Sequence, residues 1–148
     1  AHGRRIDKRL QFHLRLRGEK FDYRSGYEIG KKLATLRLRP DAVFVYNDLS
    51  ALGFEDAILE QGLRIPADVA IVGFDDIERG EYASVPLSTV RQPTKLIGKE
   101  AVSLLMNLIQ GKKTTIRHVL NTKLVIRESS GKRKSARAGN YSPKSVTR

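Results

Sequence analysis

Residues 42–76 hold two short apolar runs separated by a helical pattern, and that arrangement leaves few folds open. "AVFVY" (42–46) is rich in Val and aromatics, as a strand buried on both faces would be. Asn47-Asp48 then opens "LSALGFEDAILEQG", where Leu49, Leu52, Ile58 and Leu59 recur at near-helical intervals and Gly62 is placed to end the helix. Pro66 breaks the chain, and "VAIVGF" (69–74) supplies a second buried strand. Strand, helix, strand at this spacing is a crossover that requires parallel strands. The predicted class is α/β.

The flanks extend the pattern. Upstream, "SGYEIGKKLATL" puts Ile29, Leu33 and Leu36 on one stripe of a helix. Downstream, "PLSTVRQP" is a short extended segment ended by Pro93. A helix over 95–110 follows, with Ile97, Ala101, Leu104, Leu105, Leu108 and Ile109 on one face and Gly111 as its stop. "VLNTKLVIRES" is again extended, with Leu120, Thr122, Leu124 and Ile126 on one side and Val119, Asn121, Lys123 and Val125 on the other.

At 148 residues the chain suits one domain, able to bury roughly two-thirds of its unfolded surface. The net charge of +12 would point to nucleic acid if it lay on the folded core, so its distribution decides. Residues 1–39 carry +8, residues 40–130 carry −2 and residues 131–148 carry +6. The patterned middle is slightly acidic, so a basic face on the core is not expected. Residues 1–20 form a basic segment without regular alternation. Residues 130–148, rich in Ser, Gly and Lys/Arg with one aromatic, cannot bury enough apolar surface to offset ordering entropy and are expected to be disordered. No cysteine is present, which removes disulfides, thiolate metal sites and a thiol nucleophile. No apolar run reaches membrane-span length, and "AHGRRIDKRL" lacks the apolar middle of a signal peptide.

Catalytic signatures fail one by one. There is no Gly-x-Ser-x-Gly elbow, and His2, His13 and His118 stand apart without metal-ligand spacing. Gly111-Lys112-Lys113-Thr114 imitates the end of a phosphate loop, but Met106 stands where its first glycine belongs. The dinucleotide fingerprint is missing too. No catalytic residue, metal or cofactor is expected. What remains is Asn47-Asp48 and Asp75-Asp76, each at the carboxyl end of an apolar strand, where open parallel sheets bind ligands. Asn47 offers a donor and an acceptor and Asp75 accepts two donors, which suits a hydroxyl-rich or amine-bearing molecule. Phe21 could face the apolar side of a sugar ring. The alternatives are structural: Asp48 is placed as a helix N-cap, Asp76 as the holder of the following turn, and Asn47 and Asp75 are open to either role.

In order, the segments Pro-Asp-Ala-Val-Phe (40–44), Asn-Asp-x-x-Ala-Leu-Gly (47–53), Val-Gly-Phe-Asp-Asp-Ile (72–77) and Pro-Leu-Ser-Thr-Val-Arg-Gln-Pro (86–93) resemble the lactose/galactose repressor (LacI/GalR) family. The likeness runs from about Arg39 to Ser129, with "SGYEIGKKL" a weaker extension. It implies an incomplete lobe, 21–129, of a type I periplasmic-binding-protein-like fold. It also implies a non-enzymatic effector sensor of a cytoplasmic, dimeric transcription regulator that answers to a sugar or nucleobase. DNA contact would need a helix-turn-helix absent from this chain. By position the resemblance assigns Phe21, Asn47, Asp75 and Gln92 to the ligand, and Ala51, Leu52 and Tyr82 to the dimer surface. Arg4 and Arg5 are candidates for an effector-contacting arginine. Gly53, mid-helix at a cost of about 1 kcal/mol, implies close packing there. The helix 95–110 would pack on the family's first lobe; without that lobe its stripe is expected to lie exposed or to collapse onto the rest. A sugar-binding protein of a transport system and a non-functional truncated fragment are the alternatives.

Overall fold

The computed structural model describes residues 22–113 and 117–131. Its elements are α1 (Tyr23–Ala34), β1 (Ala42–Phe44), α2 (Asp48–Glu60), β2 (Ala70–Asp75), α3 (Glu78–Glu81), β3 (Ser88–Arg91), α4 (Thr94–Ile109), β4 (Lys123–Val125) and a 3-10 turn at Glu128–Ser130. The sheet runs β1-β2-β3-β4. The first three strands are parallel, with Val43 opposite Ile71 and Gly73 opposite Thr89. β4 lies antiparallel to β3, so the sheet is mostly rather than wholly parallel. The α/β expectation holds, and so does the β1-α2-β2 crossover.

α1 begins with a capping box in which Asp22 accepts the Ser25 amide at 3.2 Å while the Ser25 hydroxyl accepts the Asp22 amide. Its stripe buries Leu33 completely and packs Ile29 and Leu36 against the same cluster. α2 contributes Ala51, Leu52, Phe54 and Ile58, and the sheet side contributes Val69, Ile71 and Leu87. Leu49, expected on the inward stripe of α2, stays 37% exposed. The two helices meet backbone to backbone. A Cβ on Gly53 would lie 1.9 Å from the Tyr23 carbonyl oxygen, and one on Gly26 would lie 1.9 Å from that of Ser50. The close packing expected at Gly53 is therefore real, but its partner is α1 of the same chain.

Two expectations need correction. The 42–46 run is not buried on both faces: Phe44 is 63% exposed and Tyr46 is half out, because β1 is an edge strand covered by helices on one side only. The boundary at 130 falls too early. Ser130 closes the 3-10 turn and its hydroxyl donates to Ser88 Oγ at 2.7 Å. Residues 132–148, where disorder is expected, lie outside the described residues, as do 1–21. Of the two outcomes weighed for 95–110, exposure is the one seen: α4 has no buried residue, and Val102, Leu105, Leu108 and Ile109 all face outward. No helix among the described residues is long and apolar enough to cross a membrane.

Gly53→Ala should lower unfolding stability by about 3 kcal/mol in urea titration, since neither backbone can yield to the new Cβ. Gly98→Ala on α4, where a Cβ meets nothing within 4 Å, should instead add about 0.5–1 kcal/mol.

Candidate functional site

The carboxyl ends of β1, β2 and β3 lie along one edge because the three strands are parallel. Asn47 follows β1, Asp75 ends β2 and Gln92 follows β3, so the structure sets these predicted residues on a common edge. It joins two of them directly: Gln92 Nε2 donates to Asp75 Oδ1 at 2.6 Å. Phe21 lies outside the described residues.

Asn47, not Asp48, caps α2. Its extended backbone (φ −148°, ψ 159°) lets Oδ1 accept the Ser50 amide at 2.8 Å, while Asp48 is already the first helical residue and cannot turn back to do so. The cap takes the Asn47 acceptor and leaves its amide nitrogen without a partner among the described residues. Asp48 does something the sequence did not announce. Wholly buried, it reaches across to β3 and the turn after β2, accepting the Thr89 hydroxyl at 2.6 Å and the Ile77 amide at 2.9 Å. Burial pushes its carboxyl above the ordinary range, against the pull of those donors and the Asp76 amide. Gly73 makes room, because a Cβ there would stand 2.2 Å from Asp48 Oδ1.

Asp75 and Asp76 both carry positive φ, 117° and 60°. Such backbone is rare outside glycine and persists only where surroundings over-determine it. The surroundings are visible here. The Asp76 amide donates to Thr89 Oγ1 at 3.3 Å, Asp48 holds Ile77, and Gln92 holds Asp75. The Asp76 carboxylate, 6% exposed, accepts Arg91 Nε on one oxygen and Arg127 Nη2 at 2.9 Å on the other. It was expected to hold the following turn; instead it ties β3 to the segment after β4, and α3 starts after Ile77 with no side-chain cap. Burial pushes the Asp76 carboxyl up, but hydrogen bonds and charge from Arg91 and Arg127 outweigh it and leave it below the usual carboxylate range. Arg127 also donates to the Leu87 carbonyl at 2.8 Å. No motif or spacing marks Arg127, which lies far from Asp76 along the chain.

Of the expected dimer residues, Ala51 is corrected: it is fully enclosed in the core and offers a partner nothing. Leu52 is 4% exposed but lines a small cavity of about 190 Å³ together with Tyr82, whose side chain is 76% exposed. A larger apolar groove of about 420 Å³ runs between α1 and β1, lined by Ile29, Val43, Phe44 and Tyr46 among others; Asn47, Asp75 and Gln92 are not part of it. No group of three or more His, Asp or Glu among the described residues is disposed to hold a metal ion.

Asp75→Ala and Asp75→Gly remove the same carboxylate, but only glycine relaxes at φ 117°. Asp75→Ala should therefore be less stable than Asp75→Gly by about 1 kcal/mol in denaturant titration. Asp76 has a folded pKa below its unfolded value, so its contribution is fully present above about pH 4 and disappears as pH falls through the folded value. Melting temperatures of the wild type and Asp76→Asn should differ at pH 7 and converge as the pH is taken well below 4.

The sequence profile of the family described as periplasmic binding protein-like domain matches residues 6–130. The lactose operon repressor of Rhizobium radiobacter is 42% identical over 108 residues, which is 73% of this chain and 96% of that sequence. Other curated relatives are 40–44% identical, and the chain spans about a third of their length. Among solved structures, a LacI family transcriptional regulator from Lactobacillus casei with bound sucrose superposes with a TM-score of 0.65 at 33% identity, over 74% of this chain and 41% of that one. The lac repressor dimer bound to operator and the anti-inducer ONPF gives 0.70 at 35% identity, over 74% and 38%. The family profile, the relatives and the shared sheet agree: the chain belongs to the LacI/GalR family of transcriptional regulators, within its periplasmic-binding-protein-like sensor domain.

Proposed function

We propose that the edge carrying Asn47, Asp75 and Gln92 is one wall of an effector cleft, and that the whole protein is a non-enzymatic, cytoplasmic, dimeric repressor answering to a sugar. The observation that carries this is the Gln92–Asp75 pair at the strand ends, on a positive-φ turn surrounded by hydrogen bonds with Thr89, Asp48, Gln92, Arg91 and Arg127. Only one Asp75 oxygen is engaged, and the Asn47 amide nitrogen is unpaired among the described residues. A sugar hydroxyl can donate to the first and accept from the second, so adjacent hydroxyls would bridge the two strand ends. Phe21 keeps its proposed role as the aromatic face, and DNA contact is proposed through a helix-turn-helix of the whole protein.

The relatives support this class of ligand. One is named for the lactose operon, and the Lactobacillus casei regulator holds sucrose. That the relatives are repressors favours a regulator over a transport protein.

The test is a thermal-shift and calorimetric panel of sucrose, glucose, cellobiose, ribose and lactose against the protein and its Asp75→Ala variant. One sugar should raise the melting temperature in a concentration-dependent way, and Asp75→Ala should weaken its binding by about tenfold or more. A sugar bound equally by both proteins removes Asp75 from the site, and no binding by any of the five defeats the sugar assignment.

A further inference from the structure

β1 leaves one side of the sheet open. The Val45 amide donates to the Val72 carbonyl at 2.8 Å and the Ala70 amide donates to the Asp41 carbonyl at 2.9 Å, so the odd-numbered residues of β1 turn their backbone to β2. Successive residues of a strand turn their backbone groups to opposite sides. The amides and carbonyls of Ala42 and Phe44 therefore face away from β2, where no strand lies among the described residues. Beside that edge runs the apolar groove of about 420 Å³ between α1 and β1, floored by Ile29, Leu33, Val43 and Val45. An open edge next to an apolar trough is a template for an added strand, and folded chains cover such edges.

The amino-terminal segment does not alternate strands with helices, but eight of its residues alternate one by one. In "LQFHLRLR" (10–17), Leu10, Phe12, Leu14 and Leu16 take one parity and Gln11, His13, Arg15 and Arg17 the other. On a helix the four apolar positions would split between two opposite sides, whereas on a strand they share one face. The pattern is that of a strand covered on one side.

The described residues fix where such a strand must arrive. Ser50, in the first turn of α2, donates through Oγ to the Asp22 carbonyl at 3.1 Å, which puts the start of α1 at the carboxyl end of β1. A chain entering α1 from a strand parallel to β1 comes from that end. α1 also lies directly against α2, and right-handed crossovers keep both helices on one face only when the incoming strand sits on the outer side of β1. Residues 18–21 are the connection: four residues reach about 14 Å when extended, and strand-to-helix loops commonly run about 2–6 residues.

We propose that residues 10–17 join the sheet as a strand parallel to β1 at its outer edge, with Leu10, Phe12, Leu14 and Leu16 in the groove and the polar parity on the open face beside Phe44. The arginine stems there cover the exposed Phe44 ring and keep their charges in water. A second copy of the chain is the competing occupant. Two β1 edges paired together use the same backbone groups but leave the groove unfilled, because Val43 and Val45 are already packed against the chain's own core. The docking stands without the effector reading, which uses the strand ends.

The test uses the full chain, which has no cysteine of its own, so introduced pairs report without background. Phe44→Cys, at a position already 63% exposed, is combined in turn with His13→Cys, Arg15→Cys or Arg17→Cys, and with Phe12→Cys, Leu14→Cys or Leu16→Cys. Under mild oxidation one odd-numbered partner should close an intramolecular disulfide at least about tenfold faster than its even-numbered neighbours, read by mass spectrometry of proteolytic fragments. Only residues on the same face of neighbouring strands come within bonding range. Equal rates at both parities, preference for the even positions, or no closure at all overturns the docking. A disulfide joining two chains assigns the edge to a second copy and overturns it as well. The unsubstituted chain gives an independent reading: hydrogen exchange at the amides of residues 12–16 should be slowed about tenfold or more, a protection that Leu14→Asp removes and Arg15→Asp keeps. Absent protection in the wild type, or equal loss in both variants, overturns the proposal; should Leu14→Asp fail to fold, the disulfide panel decides.

Discussion

The buried carboxylate of Asp48 holds the strand-end edge in its shape. From the first turn of α2 it reaches the hydroxyl of β3 and the amide that follows β2, so one side chain ties together a helix start, a strand and a turn. Thr89 passes the constraint on by accepting the Asp76 amide, and Gly73 gives way so that the carboxylate can pass. A charge so deeply buried is unfavourable unless its lone pairs are used, and here both oxygens are. Asp76 repeats the logic nearer the surface, with arginines in place of neutral donors.

The fold was largely legible because it depends on period and punctuation. Two apolar runs around a helical pattern force a parallel crossover, and Leu33, Leu52, Ile58 and Ile71 took the buried places their spacing indicated. The exposure of β1 was not legible, since a short apolar run looks the same whether one face is covered or both. The acids of the site were harder still. Asn47 and Asp48 are adjacent and both suit a cap, and backbone angles that no motif records decide between them. Asp76 was expected to hold the turn after it, but its partners come from β3 and from a segment past β4, which no local pattern announces.

The sheet and its helices are unequally finished. α1 and α2 touch through glycines and close one face tightly, while α4 stands clear with its apolar side chains in solvent. Apolar area left open on that scale is characteristic of surfaces that meet another body. The stability of the described residues therefore resides in the α1-α2-sheet sandwich, and α4 draws little from it.

The bond from Gln92 to Asp75 has a consequence for any molecule that enters the proposed cleft. The carboxamide holds one oxygen, so the carboxylate is aimed before a ligand arrives and only its other oxygen is open to a ligand donor. Discrimination then rests on which ring position brings a hydroxyl to that one open direction, which favours shape over mere polarity. Selectivity of this kind is set by the side chain that aims the carboxylate, and Gln92 is that side chain.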